Sequence, residues 1–97
     1  MENLNTKLKL RVSKYRKLSE RALKIAKKNI AKGKENEKNA DEIIKMVECY
    51  LSDSIHFEKK GDLINSLSCL NYAHGWLDSG ARLGIFDVNN SDLFTVA

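Results

Sequence analysis

The sequence predicts an all-α protein, an antiparallel three-helix bundle with a short carboxyl-terminal tail packed on it. Three observations carry this. No proline interrupts the 97 residues, so long helices meet no built-in break. Apolar residues recur at spacings of three and four in three separate stretches. Between the last two stretches, Lys60-Gly61-Asp62 stops one helix and starts the next within a single turn, and so short a connection forces its helices side by side and antiparallel.

The first stretch, residues 3–32, places Leu4, Leu8, Val12, Tyr15, Leu18, Ala22, Ile25 and Ala26 on one face, with lysines and arginines around them. Gly33 ends it, and residues 34–38 form a charged connection. The second helix is expected over 40–60. Asn39 acts as its cap, Glu42 reaches back in a capping box, and Ile43, Val47, Tyr50, Ser54 and Phe57 form the stripe. Ile44, Leu51 and Ile55 widen that stripe, as suits a helix touching two neighbours, so it is the expected centre of the bundle. Gly61 is the residue type that closes a helix in the left-handed conformation, and Asp62 can cap the helix that follows.

That third helix, 63–83, carries Leu63, Leu67, Leu70, His74, Leu77 and Ala81 on one stripe. Beside it runs a second stripe, Ser66, Cys69, Ala73, Trp76 and Gly80. Gly75 and Gly80 each cost about 1 kcal/mol relative to alanine in a helix interior, which predicts a packing reason for both. Leu83-Gly84 repeats the stop signal. The tail, 85–97, is apolar at both ends around an Asn-rich turn and is expected to fold back on the bundle, completing one domain over 1–97.

Several runs together, Asp53-Ser54-Ile55-His56-Phe57, Lys60-Gly61-Asp62, Ser66-Leu67, Tyr72-Ala73-His74-Gly75-Trp76-Leu77-Asp78 and Arg82-Leu83-Gly84-Ile85-Phe86, resemble the archaeal family known as domain of unknown function 357. The resemblance covers about residues 40–97. It implies a compact helical module of archaeal, cytoplasmic type and no particular reaction. This chain has His74 where that family is usually acidic, and Ser54, Ser66 and Ser79 where it favours alanine, which argues against a fixed catalytic group at 74. The helix-turn-helix unit also looks like one tetratricopeptide hairpin, but no second copy occurs.

The formal charge of +4 hides a division. Residues 1–34 hold twelve Lys or Arg against two acids, a net +10, and residues 35–97 hold five against eleven, a net −6. The basic third either docks on the acidic helices or meets an external polyanion. No apolar run approaches the roughly 20 residues that span a bilayer, and the amino terminus is polar where a signal peptide is apolar. No membrane association and a cytoplasmic location are therefore expected.

No catalytic or metal-binding spacing stands out, and neither an enzyme nor a cofactor is expected. The Gly61-Asp62 turn brings Cys49 level with His74, so Cys49, His74 and Asp78 form the one conceivable ligand cluster, metal or organic. The plainer alternative is His74 pairing with Asp78, which also has Arg82 four residues on. Cys49 and Cys69 are offset beyond disulfide reach and are expected as buried thiols. Tyr50, Tyr72 and Trp76 are expected in the core. Asp53 is expected to pair with Lys60 or a first-helix lysine, with a ligand role as its alternative.

The functional expectation is a non-enzymatic module for protein–protein interaction or self-association. Its alternative is a nucleic-acid-binding accessory acting through the basic helix. If the first connection centres near residues 35–36, the eight or nine helical residues before Val12 overhang the bundle by roughly 13 Å. Leu4, Leu8 and Leu10, with Lys7, Arg11 and Lys14, then form an interaction surface that a second chain would cover.

Overall fold

The computed structural model describes residues 3–95, so Val96 and Ala97, the last positions of the expected tail, lie outside the described residues. Three helices run up, down and up: α1 Leu4–Lys28, α2 Lys34–Lys59 and α3 Leu63–Arg82. Asn3 caps α1 by accepting from the Thr6 amide at 2.8 Å. At the α2–α3 turn Gly61 has φ +80°, and Asp62 accepts from the Asn65 amide at 3.1 Å. Gly84, φ +76°, closes α3 where the stop signal stands.

Two boundaries move. α1 stops at Lys28, four residues short of the expected end, because Asn29 turns its side chain back to the Ile25 carbonyl at 2.8 Å. The next residues then leave the helix to pair with the tail. Ile30 forms an antiparallel bridge with Phe86, the Ala31 amide donates to the Ile85 carbonyl at 2.9 Å, and the Asp87 amide donates to the Asn29 carbonyl at 2.7 Å. α2 starts at Lys34, not at 40, from Gly33 at φ +114°. Glu35 and Glu37 sit in its first turn, where the positive end of the helix dipole favours them. The expected capping box at Asn39 therefore lies inside the helix.

The central helix is α3, not α2. It packs along both other helices, whereas α1 and α2 barely meet. On the α2 side it offers Ser66, Ala73 and Gly80, all buried, and small side chains let that neighbour approach closely. Leu77 packs in the main core with Ala22, Ala26, Ile43 and Val47, and Val12 and Leu70 are buried as well. Gly80 has a clear packing reason, since a Cβ there would lie 2.5 Å from the Phe86 ring. Gly75 has none of that kind, because a Cβ would meet nothing within 4 Å.

The tail folds back as expected. Ile85, Phe86, Leu93 and Phe94 are all buried in the main core.

Candidate functional site

Four places gather chemistry or unpartnered surface. The first is a polar clamp at which all three helices meet, and its centre is Arg16. The guanidinium of Arg16 pairs with Glu58 of α2 and donates to Ser54 Oγ at 2.6 Å and, more weakly, to Ser66 Oγ at 3.5 Å. Ser66 Oγ in turn donates to the Ser54 carbonyl at 2.8 Å and lies 2.9 Å from Ser54 Oγ. Both hydroxyls are thus satisfied in full burial. These are two of the serines that stand where the resemblance expects alanine, so they answer to Arg16 and not to a ligand. Arg16→Ala is expected to lower stability by about 1–3 kcal/mol, the cost of unpairing partly buried polar groups. Arg16→Met, which keeps the stem that packs between the helices, should recover part of the loss. Urea denaturation of the three proteins measures this, and a loss below about 0.5 kcal/mol would make the clamp a bystander.

The second place is His74. Its Nε2 lies 2.6 Å from the Leu93 carbonyl, an acceptor only, so Nε2 carries the proton. In the neutral ring Nδ1 then accepts from the Ser19 hydroxyl at 3.2 Å. Asp78 lies 3.8 Å from His74, the expected i,i+4 pair. Its carboxylate also accepts the Thr95 amide at 2.8 Å. The expected Asp78–Arg82 pair is not among the ion pairs of the described residues, and Asp53 likewise pairs with neither Lys60 nor a lysine of α1. His74 and Asp78 thus latch the tail to α3.

Cys49 does not join them. It is exposed on α2, contrary to the expectation of a buried thiol, and no group of three or more His, Cys, Asp or Glu able to hold a metal occurs among the described residues. Level along the axis is not the same as facing inward, and His74 faces α1 and the tail. Cys69 is half-buried, and burial, followed by the charges of Asp53 and Asp62, pushes its thiol above the ordinary pKa. Such a thiol is a poor nucleophile near neutrality.

The third place is the outward face of α3. Tyr72 and Trp76 are not core, being 64% and 37% exposed. With Asn71, Gly75 and Ser79 they line an open groove of about 530 Å³. Tyr72 does come level with Tyr50, and their rings stack with centroids 5.3 Å apart, which stiffens one wall. Ile64 and Leu83, also exposed, extend the face to both ends of the helix. Gly75 has its reason here: without a side chain at that position the groove has a floor.

The fourth place is the basic helix. Lys7, Arg11 and Lys14 are exposed, and Leu10, Ser13, Lys14, Lys17, Leu18 and Arg21 line a shallow depression. Only Arg16 and Lys27 of α1 enter ion pairs with the acidic helices among the described residues. The overhang is shorter than expected. Asn5 and Lys9 border the same hollow as Lys59, Gly61 and Leu63, so the α2–α3 turn reaches the first turns of α1. Leu8 is half-buried, while Leu4 and Leu10 stay exposed.

A family model described as a protein of unknown function, DUF357, matches residues 14–86, three quarters of the chain and all of the clamp. The chain belongs to this family. No curated protein and no solved structure gives a significant match. The DUF357 match takes in the α3 groove but stops short of Leu4, Lys7, Leu8, Leu10 and Arg11, and also of Leu93 and Phe94. No helix among the described residues is long and apolar enough to cross a membrane.

Proposed function

We propose that this chain is a non-enzymatic helical interaction module that binds another protein or another copy of itself. The observation that carries the reading is the outward face of α3, where Ile64, Tyr72, Trp76 and Leu83 stand exposed around the Gly75 groove. Large aromatic groups at a concave, rigid surface are the usual anchors of protein interfaces. Leu4 and Leu10 add apolar surface on α1, at the end where the α2–α3 turn lies. The two free thiols agree with a cytoplasmic setting. Tagged protein incubated in native lysate, with and without nuclease, tests the reading. A stoichiometric protein partner, or an untagged copy, retained after nuclease is expected; recovery of neither removes it.

A second reading has its own support, the cations of α1 other than Arg16 and Lys27, which enter no ion pair with α2 or α3 among the described residues. Phosphate neutralisation needs no more than clustered Lys and Arg, so residues 1–34 could hold RNA or DNA without reading bases. Such binding must weaken steeply with salt. Titration of mixed RNA and DNA from low to physiological ionic strength decides it, and absence of binding at low salt ends this second reading.

A further inference from the structure

We propose that a row of cations on the outward side of α1 holds the sugar-phosphate backbone of a nucleic-acid duplex. This rests on the second reading above and gives it a site, a ligand class and a footprint.

The row is regular. Lys7, Lys14, Lys17, Arg21, Lys24 and Lys28 follow one another at steps of seven, three, four, three and four, so they return to one side of the helix. Leu10 fills the gap in that repeat. All six cations are exposed, and Leu10, Lys14, Lys17 and Arg21 border one shallow depression, which places them on a common side. The opposite side of α1 carries Val12, Ser19, Ala22, Leu23 and Ala26, all buried.

Nothing within the chain neutralises the row. Cations three or four residues apart repel one another and weaken a helix. None of the six enters an ion pair among the described residues. Glu20, the single acid of α1, stands at the edge of the row and also makes no ion pair. Lys28 shares a hollow with Asp87 but does not pair with it. An external polyanion supplies what the fold does not.

The make-up of the row selects the polyanion. Five of the six cations are lysines, a residue depleted in protein interfaces but suited to phosphate, which it meets as a point charge without angular demands. A lipid surface is disfavoured, because a helix enters lipid by its apolar side, and that side of α1 is covered by the bundle. A single strand is disfavoured as well. Single strands are held by stacking their bases on aromatic rings, and the one aromatic residue of α1, Tyr15, is half-buried and off the row. Length agrees with a duplex: from Lys7 to Lys28 the row runs roughly 31 Å at 1.5 Å per residue, close to the roughly 34 Å of one duplex turn. Such a row meets phosphates and not base edges, so DNA and RNA duplexes should serve alike.

The full chain is titrated at about 50 to 200 mM salt with four probes. These are DNA and RNA duplexes of about two turns, unstructured single strands of the same length, and phosphatidylcholine vesicles with about one third phosphatidylserine. Both duplexes should bind within about tenfold of one another and more tightly than the single strands. About five phosphates neutralised give a slope of log affinity against log salt of about −4.5 for duplex DNA. Lys14→Gln/Lys17→Gln/Arg21→Gln should weaken duplex binding at least tenfold at about 50 mM salt and make the slope shallower by about 3. Its thermal midpoint should not fall, since these exposed side chains make no ion pair in the fold. Lys38→Gln/Lys45→Gln/Lys59→Gln removes the same charge from exposed positions of α2 and should bind within about threefold of the parent.

A first-helix variant that binds as the parent does, or single strands that bind as tightly as duplexes, overturns this inference while the second reading stands. Binding to the vesicles alone overturns both. Absence of binding to every probe at about 50 mM salt also ends both.

Discussion

A chain ended after Gly84 is expected to lose cooperative folding. The residues removed include Ile85, Phe86, Leu93 and Phe94, all buried. At about 1.5–3 kcal/mol for each large side chain taken from water, the four contribute roughly 6–12 kcal/mol. The whole stability of a domain this size is of order 5–15 kcal/mol, so little or nothing is left. The cut also strips the Ile85 carbonyl from the Ala31 amide and the Asp87 amide from the Asn29 carbonyl. The stretch between α1 and α2 then has no partner. Far-UV circular dichroism with a urea titration reads the outcome: a shallow, non-sigmoidal curve is expected. A milder cut after Asn90 keeps Phe86 and removes Leu93 and Phe94, and should cost about half as much. If the chain ended after Gly84 melts sharply near the parent's midpoint, the tail is an ornament and its place in the core is wrong.

Phe86→Ala alone is expected to cost about 3–5 kcal/mol, the range for emptying a buried aromatic site. The ring is 1% exposed and lies directly on the backbone of α3 at Gly80. Two glycine substitutions give this prediction its sharper form. A Cβ at Gly80 would stand 2.5 and 2.6 Å from two ring carbons of Phe86 and 3.2 Å from Ile43 Cδ1. Gly80→Ala therefore forces the ring to shift, at about 1–3 kcal/mol for overpacking, which outweighs or cancels the gain of about 1 kcal/mol in helix propensity. Gly75→Ala meets no atom and keeps that gain. The same substitution five residues away should thus differ by about 1–3 kcal/mol, and a second Phe86→Leu change should relieve Gly80→Ala more than it harms the parent. Equal stabilisation by both alanines would show that Phe86 does not lie against Gly80.

Much of the architecture is legible in the residues. Gly61 and Gly84 close helices at positive φ, and Asp62 caps α3. The register read from the Gly61-Asp62 turn also holds, since Tyr50 stacks on Tyr72 and Ser54 bonds Ser66. The pairing of His74 with Asp78 follows from helical spacing alone. The candidate surfaces were harder to read. Leu4 and Leu10 are outward as expected, but the stronger apolar surface lies on α3, where Tyr72 and Trp76 carried the expectation of core residues. A signal for it does exist: from Leu63 to Leu77 there is no Asp, Glu, Lys or Arg. That charge-free run fits a helix with neighbours on two sides, as α3 has in α1 and α2, and leaves its remaining side neutral and partly apolar. The width of the α2 stripe does not see this.

The sequence by itself determined the number of helices, where α3 begins and ends, the up-down-up path and the return of the tail. These depend on caps, glycine conformation and apolar spacing, forces that act within a few residues along the chain. Tertiary structure decided what depends on who packs beside whom. Phe86 draws Ile30 out of α1, and α2 begins at Gly33 in place of its local cap at Asn39. Arg16 finds Glu58, Ser54 and Ser66 from two other helices. Cys49 and Trp76 face outward because one stripe of a helix is buried only as far as its neighbours reach, and how far they reach is set by side chains distant in the chain.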